Sequence, residues 1–195
     1  MNGAQALQAA FGGAHGWHHV RTRLWALGHP TFTPSLTGIG ERAHLTSPQV
    51  TLSTHIEDVV NCIEYEDLRD IVLVGFSYGG MVVTGCVDLV GDRIAHLVYL
   101  DAALPRDGQS SRDLGEAPRE ALAYRMGQEW LAQGPPRVYD DPAEGAWAAP
   151  RRSAQPIGTF IEPVRLASSG SMPRRTKANC SLASVATTRT SASSG

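Results

Sequence analysis

The chain has 195 residues, 42% of them hydrophobic and 18% charged, which suits one domain with a sizeable core and excludes a highly charged disordered chain. Its formal net charge of -2, with no basic stripe before residue 150, argues against a nucleic-acid partner. No apolar run reaches about 18 residues and no basic, apolar leader opens the chain, so no membrane association is expected and a cytoplasmic location is.

Residues 1–10, MNGAQALQAA, carry the alanine and glutamine content of a short helix or a frayed end rather than of a strand. Phe11 to Trp17 is a glycine-dense loop containing Gly12, Gly13, His15 and Gly16. Val20, Leu24 and Leu27 then recur at helical spacing, with Gly28 placed to end that helix. Thr31-Phe32-Thr33 reads as a short strand stopped by Pro34, followed by a loop from Thr37 to Arg42 with two glycines. Ile56, Val59, Val60 and Ile63 mark an amphipathic helix, for which Ser53 or Thr54 is the expected N-cap.

Ile71-Val72-Leu73-Val74 is a continuous apolar run, the pattern of a strand buried on both faces. Gly75-Phe76-Ser77-Tyr78-Gly79 follows it with the spacing G-x-S-x-G, and Met81, Val82 and Val83 continue as a helix-compatible segment to about Val90. A serine on such a strand-to-helix turn has its Oγ thrust out of the sheet, and the flanking glycines leave room where a Cβ would clash. The helix that follows aims its first N–H groups at the place where negative charge develops on attack. The bland alternatives are an incidental serine in a glycine-rich turn and a phosphate-binding loop. The second wants Gly-Lys-Ser/Thr, and no lysine is near.

Ile94 to Leu100 is the next buried strand, ending at Asp101. From Pro105 the composition loosens. Leu122, Met126, Trp130 and Leu131 have the spacing of one amphipathic helix. Asp141-Pro142 reads as an N-cap with proline in the first turn of a second, running through Trp147. Residues 106–166 therefore read as an inserted cap and residues 11–105 as the core. Residues 167–195, rich in Ser, Thr, Ala and Arg, read as a low-complexity, disordered tail. Strand and helix alternate up to residue 101, which implies a doubly wound, mostly parallel sheet. Chemistry in such sheets sits at the carboxyl ends of the strands, where Ser77 and Asp101 both fall. The cysteines Cys62, Cys86 and Cys180 have neither the number of a disulfide framework nor a metal-ligand spacing. Cys62 and Cys86 read as small buried hydrophobes.

Around this turn the chain resembles the α/β-hydrolase fold family, and within it the methylesterase and hydroxynitrile lyase branch with its bacterial esterase relatives. The resemblance is carried by GHPTFTPSLTGIGERAHL (28–45), THIEDVVNCIEYEDLRDIVLVGFSYGGMVVTG (54–85), RIAHLVYLDAALPRDGQS (93–110) and QPIGTFIEPVRL (155–166). Phe76 stands where the branch usually has histidine. Phe11-Gly12 stands where it has a His-Gly pair, and His15-Gly16 matches a second such pair. The resemblance implies attack of Ser77 on a small ester, an acyl-enzyme, and an oxyanion held by the N–H of Tyr78 and by one N–H of the loop after the first strand, from Gly13 or Ala14. It implies no cofactor. Thr37, Gly38 and Arg42 are candidate pocket residues, with a surface ion pair as the plain alternative for Arg42.

The family's chain order is Ser, then Asp or Glu, then His. Of the seven histidines only His96 follows Ser77, and it sits early in its strand, away from Ser77. His15 could approach the serine from its loop, with loop ordering as the plain alternative. Asp101 has no histidine to orient and reads as a capping or pocket-lining residue. The expectation is therefore a sheet that is incomplete, from a truncated or frame-shifted hydrolase with impaired turnover and an exposed sheet edge that favours self-association. The alternatives are an inactive fragment or ligand-binding module on the same scaffold and, further off, a hydroxynitrile lyase, whose substrate-binding lysine has no evident counterpart.

Overall fold

The computed structural model describes residues 2–7, 12–115, 129–134, 136–166 and 175–178. Its main sheet is five-stranded, with the order β2-β1-β3-β4-β7 and every pairing parallel. The strands are β1 (Asn2–Leu7), β2 (Thr31–Phe32), β3 (Arg69–Ser77), β4 (Ile94–Ala102) and β7 (Arg175–Ala178). Helix α1 (His18–Ala26) joins β1 to β2, α2 (Leu52–Tyr65) joins β2 to β3, and α3 (Gly79–Val90) joins β3 to β4. The cap contains α4 (Pro142–Ala148), α5 (Gly158–Ile161) and a two-stranded antiparallel pair, β5 (Leu131–Ala132) with β6 (Gln155–Pro156). Among the described residues no helix is long and apolar enough to cross a membrane.

The core follows from the apolar pattern. In β3, Ile71, Leu73 and Gly75 are buried while Val72, Val74 and Phe76 are half-buried, so both faces of this inner strand are covered. Helix α3 is buried from Gly79 through Val87, as expected of a helix that is apolar all round. Helix α2 buries the stripe Leu52, His55, Val59 and Ile63, spaced by three and four residues.

Several expectations are corrected. Asn2–Leu7 is a strand, not a helix or a frayed end, and it lies between β2 and β3, pairing Ala4 with Thr31 on one side and with Val72 on the other. Ladder hydrogen bonds come from the backbone, so a site between two strands overrides the helix preference of alanine and glutamine. The N-cap of α2 is Thr51, two residues before Ser53 and three before Thr54, the expected positions. Thr54 stands at the third helical position and accepts from the Thr51 N–H at 3.3 Å, a capping box. Trp130 and Leu131 do not continue a helix. Leu131 pairs with Pro156 and the Trp130 carbonyl accepts from the Ile157 N–H at 2.8 Å, contacts too distant in sequence for local periodicity to show. Leu122 and Met126 lie outside the described residues. Within the tail, Arg175–Ala178 pairs with β4, because an open strand edge accepts a partner backbone of almost any composition. Residues 179–195, with Cys180, lie outside the described residues.

Other elements follow the local signals. Asp141 caps α4 by accepting from the Ala143 N–H at 2.8 Å, with Pro142 in the first turn. Gly28 follows α1 with φ of +83°.

Candidate active site

The strand order makes β1 the reversal point of the sheet: the chain moves from β1 to β2 on one side and places β3 on the other. The loops leaving β1 and β3 therefore diverge, and a crevice opens between them at the carboxyl edge. A cavity of about 350 Å³ occupies this place, within the size range of small-molecule sites. Gly12, Gly13, His15 and Trp17 after β1 form one wall, Phe76 and Leu100 at the ends of β3 and β4 the floor, and Tyr139, Trp147 and Arg152 of the cap the other wall.

Ser77 ends β3 with φ of +51°, a left-handed conformation that costs a side-chain-bearing residue on the order of 1–2 kcal/mol. Neighbouring glycines make room for the bend. A Cβ on Gly75 would lie 2.7 Å from the Gly79 carbonyl oxygen, and one on Gly80 would run into the carbonyl oxygen of Ala103. Ser77 is half-exposed and is followed at once by the buried Tyr78 and α3. The serine thus stands beside Phe76 of the cavity floor, at a helix N-terminus whose amides carry partial positive charge.

The other expected residues separate into two groups. Gly13, His15 and Phe76 line the cavity, whereas Ser77 and Tyr78, which follow Phe76 in the chain, are not part of its lining. The Trp17 and Phe76 rings meet edge to face at 6.3 Å, and His15 meets Trp147 edge to face at 5.9 Å. Burial lowers the His15 pKa, with Glu41 pulling it back up and Arg151 pushing it further down. Of the two alternatives for the loop amide, Gly13 and Ala14, that of Ala14 is committed elsewhere: it donates to Ser35 Oγ at 2.6 Å, and Ser35 in turn donates to Glu41 at 2.5 Å.

Thr37 and Arg42 do not line the cavity. Thr37 donates to the Asp58 carboxylate from its N–H at 2.6 Å and from its hydroxyl at 2.9 Å. Arg42 pairs with the same carboxylate at 2.9 Å, so the plain alternative for Arg42 holds. Asp101 is exposed, with φ of +41°, at a register shift of β4 against β3, and it is also outside the cavity lining. His96 is exposed near the start of β4 and pairs with Val72, whereas Ser77 pairs with Ala102 at the other end of the strand. Among the described residues no group of three or more His, Cys, Asp or Glu side chains is placed to hold a metal ion.

The aromatic walls went unrecognised in the sequence. Trp147 was legible as the end of a helix but not as a cavity residue, and Trp17 only as part of a loop. His55 was also missed, although it stands at helical spacing from Val59 and Ile63, a signal of burial. It is fully buried beside the Ser77 turn: its Nδ1 lies 2.9 Å from Tyr78 Oη and its Nε2 2.9 Å from the Thr37 carbonyl.

Comparison with known proteins gives the same architecture a lineage. The family model described as the alpha/beta hydrolase family matches residues 10–186, a span that includes all four stretches that carry the resemblance. A carbendazim hydrolyzing esterase from a Nocardioides strain is 40% identical over 171 residues, which cover 80% of this chain and 71% of that protein. The chain spans 48% and 46% of the length of two more distant curated relatives. Among solved structures, an extracellular alpha/beta-hydrolase from a Paenibacillus species superposes with a TM-score of 0.74 at 22% identity, over 92% of this chain and 77% of its own. A methylesterase from Arabidopsis superposes with a TM-score of 0.67 at 19% identity, over 90% and 76% respectively.

Proposed function

From the premise that the chain belongs to the alpha/beta hydrolase family, we propose that it is an esterase-like hydrolase whose nucleophile is Ser77. The observation that carries this reading is the left-handed φ of Ser77 at the carboxyl end of β3, directly before α3 and beside a cavity lined by Phe76 and Gly13. A strained conformation at a strand-to-helix turn persists where the surroundings enforce it, and a turn of this kind is the one on which a nucleophilic serine presents its hydroxyl at the carboxyl edge of a sheet. The 40% identity to an esterase over most of both chains points to the same chemistry.

In the proposed reaction Ser77 Oγ attacks the carbonyl carbon of a small ester. The resulting oxyanion is held by the N–H groups of Tyr78 and Gly13. Collapse expels the alcohol and leaves an acyl-serine, which water then cleaves to the acid. Two oriented amides in a partly dry crevice lower the barrier without reorganising during the reaction. The attacking hydroxyl needs a base. His15 is the cavity imidazole, and burial holds it neutral near pH 7, the state in which it can accept a proton. The oxyanion hole and substrate binding contribute to the rate independently of the base.

The test is hydrolysis of p-nitrophenyl acetate by the purified chain and by Ser77→Ala, with a fluorophosphonate probe as second readout. One adduct per chain on Ser77, absent from Ser77→Ala, supports the proposal; equal turnover in both proteins with no adduct rejects it. The second reading is a binding module that retains the cavity without turnover. It is favoured by His96 lying at the wrong end of β4, and it predicts ligand binding unaffected by Ser77→Ala.

A further inference from the structure

We propose that His55 is a positioning residue for the Ser77 turn, acting through the side chain of Tyr78 to set the direction of the Tyr78 backbone N–H. The inference rests on the reading of that N–H as an oxyanion donor, and it assigns the task of aiming it to a residue on a different element.

The hydrogen-bond pattern has one consistent polarity. A carbonyl oxygen only accepts, so the contact between His55 Nε2 and the Thr37 carbonyl at 2.9 Å requires the proton on Nε2. Burial keeps the ring neutral near pH 7, so Nδ1 is the acceptor and the Tyr78 hydroxyl donates to it at 2.9 Å. The imidazole is thus a neutral relay of fixed tautomer between the loop that carries Thr37 and the turn that carries Ser77. Behind it, Thr37 is held by the Asp58 carboxylate through both its N–H and its hydroxyl, and Arg42 closes on that carboxylate. The chain Arg42–Asp58–Thr37–His55–Tyr78 runs from the half-exposed Arg42 guanidinium to the residue next to the serine.

Tyr78 is built to be held. It is 2% exposed, its ring meets His55 at 5.8 Å and Phe160 at 5.5 Å, and its hydroxyl also engages the Thr159 side chain. A phenol fixed at its far end and packed against two rings leaves little freedom to its own Cα. That Cα adjoins Ser77, whose φ of +51° shows a backbone held away from its relaxed conformation. Removing the far anchor lets the turn relax, and displacements of about 1 Å in a reacting constellation cost on the order of a hundredfold in rate.

The experiment follows fluorophosphonate labelling of Ser77 in the full chain and in Tyr78→Phe and His55→Gln. Tyr78→Phe keeps the ring packing and removes only the anchor. The expected result is a maximal labelling rate lowered about tenfold or more in both variants, with the half-saturating probe concentration unchanged, because the cavity walls are untouched. Equal maximal rates in folded protein overturn the inference. The 1H–15N resonance of the Tyr78 amide in His55→Gln is read in parallel, or that of the Ser77 amide in Tyr78→Phe if His55→Gln does not fold. If the unmodified chain takes no label, the proposed esterase function fails by itself and the amide decides the positioning role. A displaced resonance at that amide with unmoved resonances in α1 supports it, and an unmoved one overturns it.

Discussion

The N–H of Ala103 donates to the carbonyl of Ser77 at 3.0 Å. This bond joins the end of β4 to the serine turn just past a register shift, where Phe76 pairs with Leu100 but Ser77 with Ala102. Asp101 is the extra residue, and its φ of +41° absorbs the mismatch, as in a β-bulge. Two left-handed residues, Ser77 and Asp101, therefore sit at the same register shift on adjacent strands, and both shape the carboxyl edge. Asp101 serves the geometry of the edge through its backbone.

Gly80→Ala is expected to destabilise the fold by about 2 kcal/mol or more, as overpacking against fixed backbone does. The added methyl runs into the Ala103 carbonyl, and that strand end is held by its own bond to Ser77. A lower urea midpoint with an unchanged slope is the expected readout. A neutral result would mean that the β4 end yields freely.

Ser77→Gly is expected to move stability the other way. Glycine adopts positive φ without the Cβ penalty, so relief of the strain at φ of +51° should raise stability by about 1 kcal/mol, while fluorophosphonate labelling disappears. Thermal melting of Ser77→Gly beside Ser77→Ala separates the backbone effect from loss of the hydroxyl, since alanine keeps the strain.

Acid should destabilise the protein in two stages. Burial pushes the His55 pKa down from 6.5 to about 4, with the Thr37 and Asp58 interactions only partly opposing it. Between these values the unfolded chain binds a proton that the folded chain refuses. Stability is therefore complete above about pH 6.5 and falls as pH drops towards 4, by about 3 kcal/mol in all. Glu162 adds to the loss at lower pH. Its burial raises the carboxyl pKa, but hydrogen bonds from the Ser53 N–H and hydroxyl, from Thr51 and from the Leu52 N–H outweigh this and leave it below 4.5. Its contribution is lost only as pH falls below that value. Urea midpoints measured from pH 7.5 to 4 should slope in the wild type and flatten in His55→Gln, apart from a smaller contribution of His15.

Asp58→Ala should cost about 2–3 kcal/mol, because it strips the partner from the Thr37 N–H, the Thr37 hydroxyl and the Arg42 guanidinium at once. In a double-mutant cycle Arg42→Ala should recover only a small part of this, since Arg42 is more than a third exposed and its share of the pairing is screened. Chemical denaturation of the four proteins measures both terms.

The serine turn was legible in the sequence because its information is local. An apolar run, a serine and spaced glycines specify a strand, a bend and a helix through sterics that act within five residues. The α2 stripe and the Asp141-Pro142 start of α4 were legible for the same reason. What tertiary structure alone decided was everything that depends on a neighbour distant in the chain. NGAQAL became an inner strand because two other strands offered their backbones. Leu131 left its helical pattern for a partner at Pro156. Thr37 turned away from the crevice because Asp58 offered its N–H and hydroxyl a better partner than water. The crevice walls came from Trp17 and Trp147, 130 positions apart in the sequence, and only the packing of the cap helix α4 at the carboxyl edge brings both to one cavity.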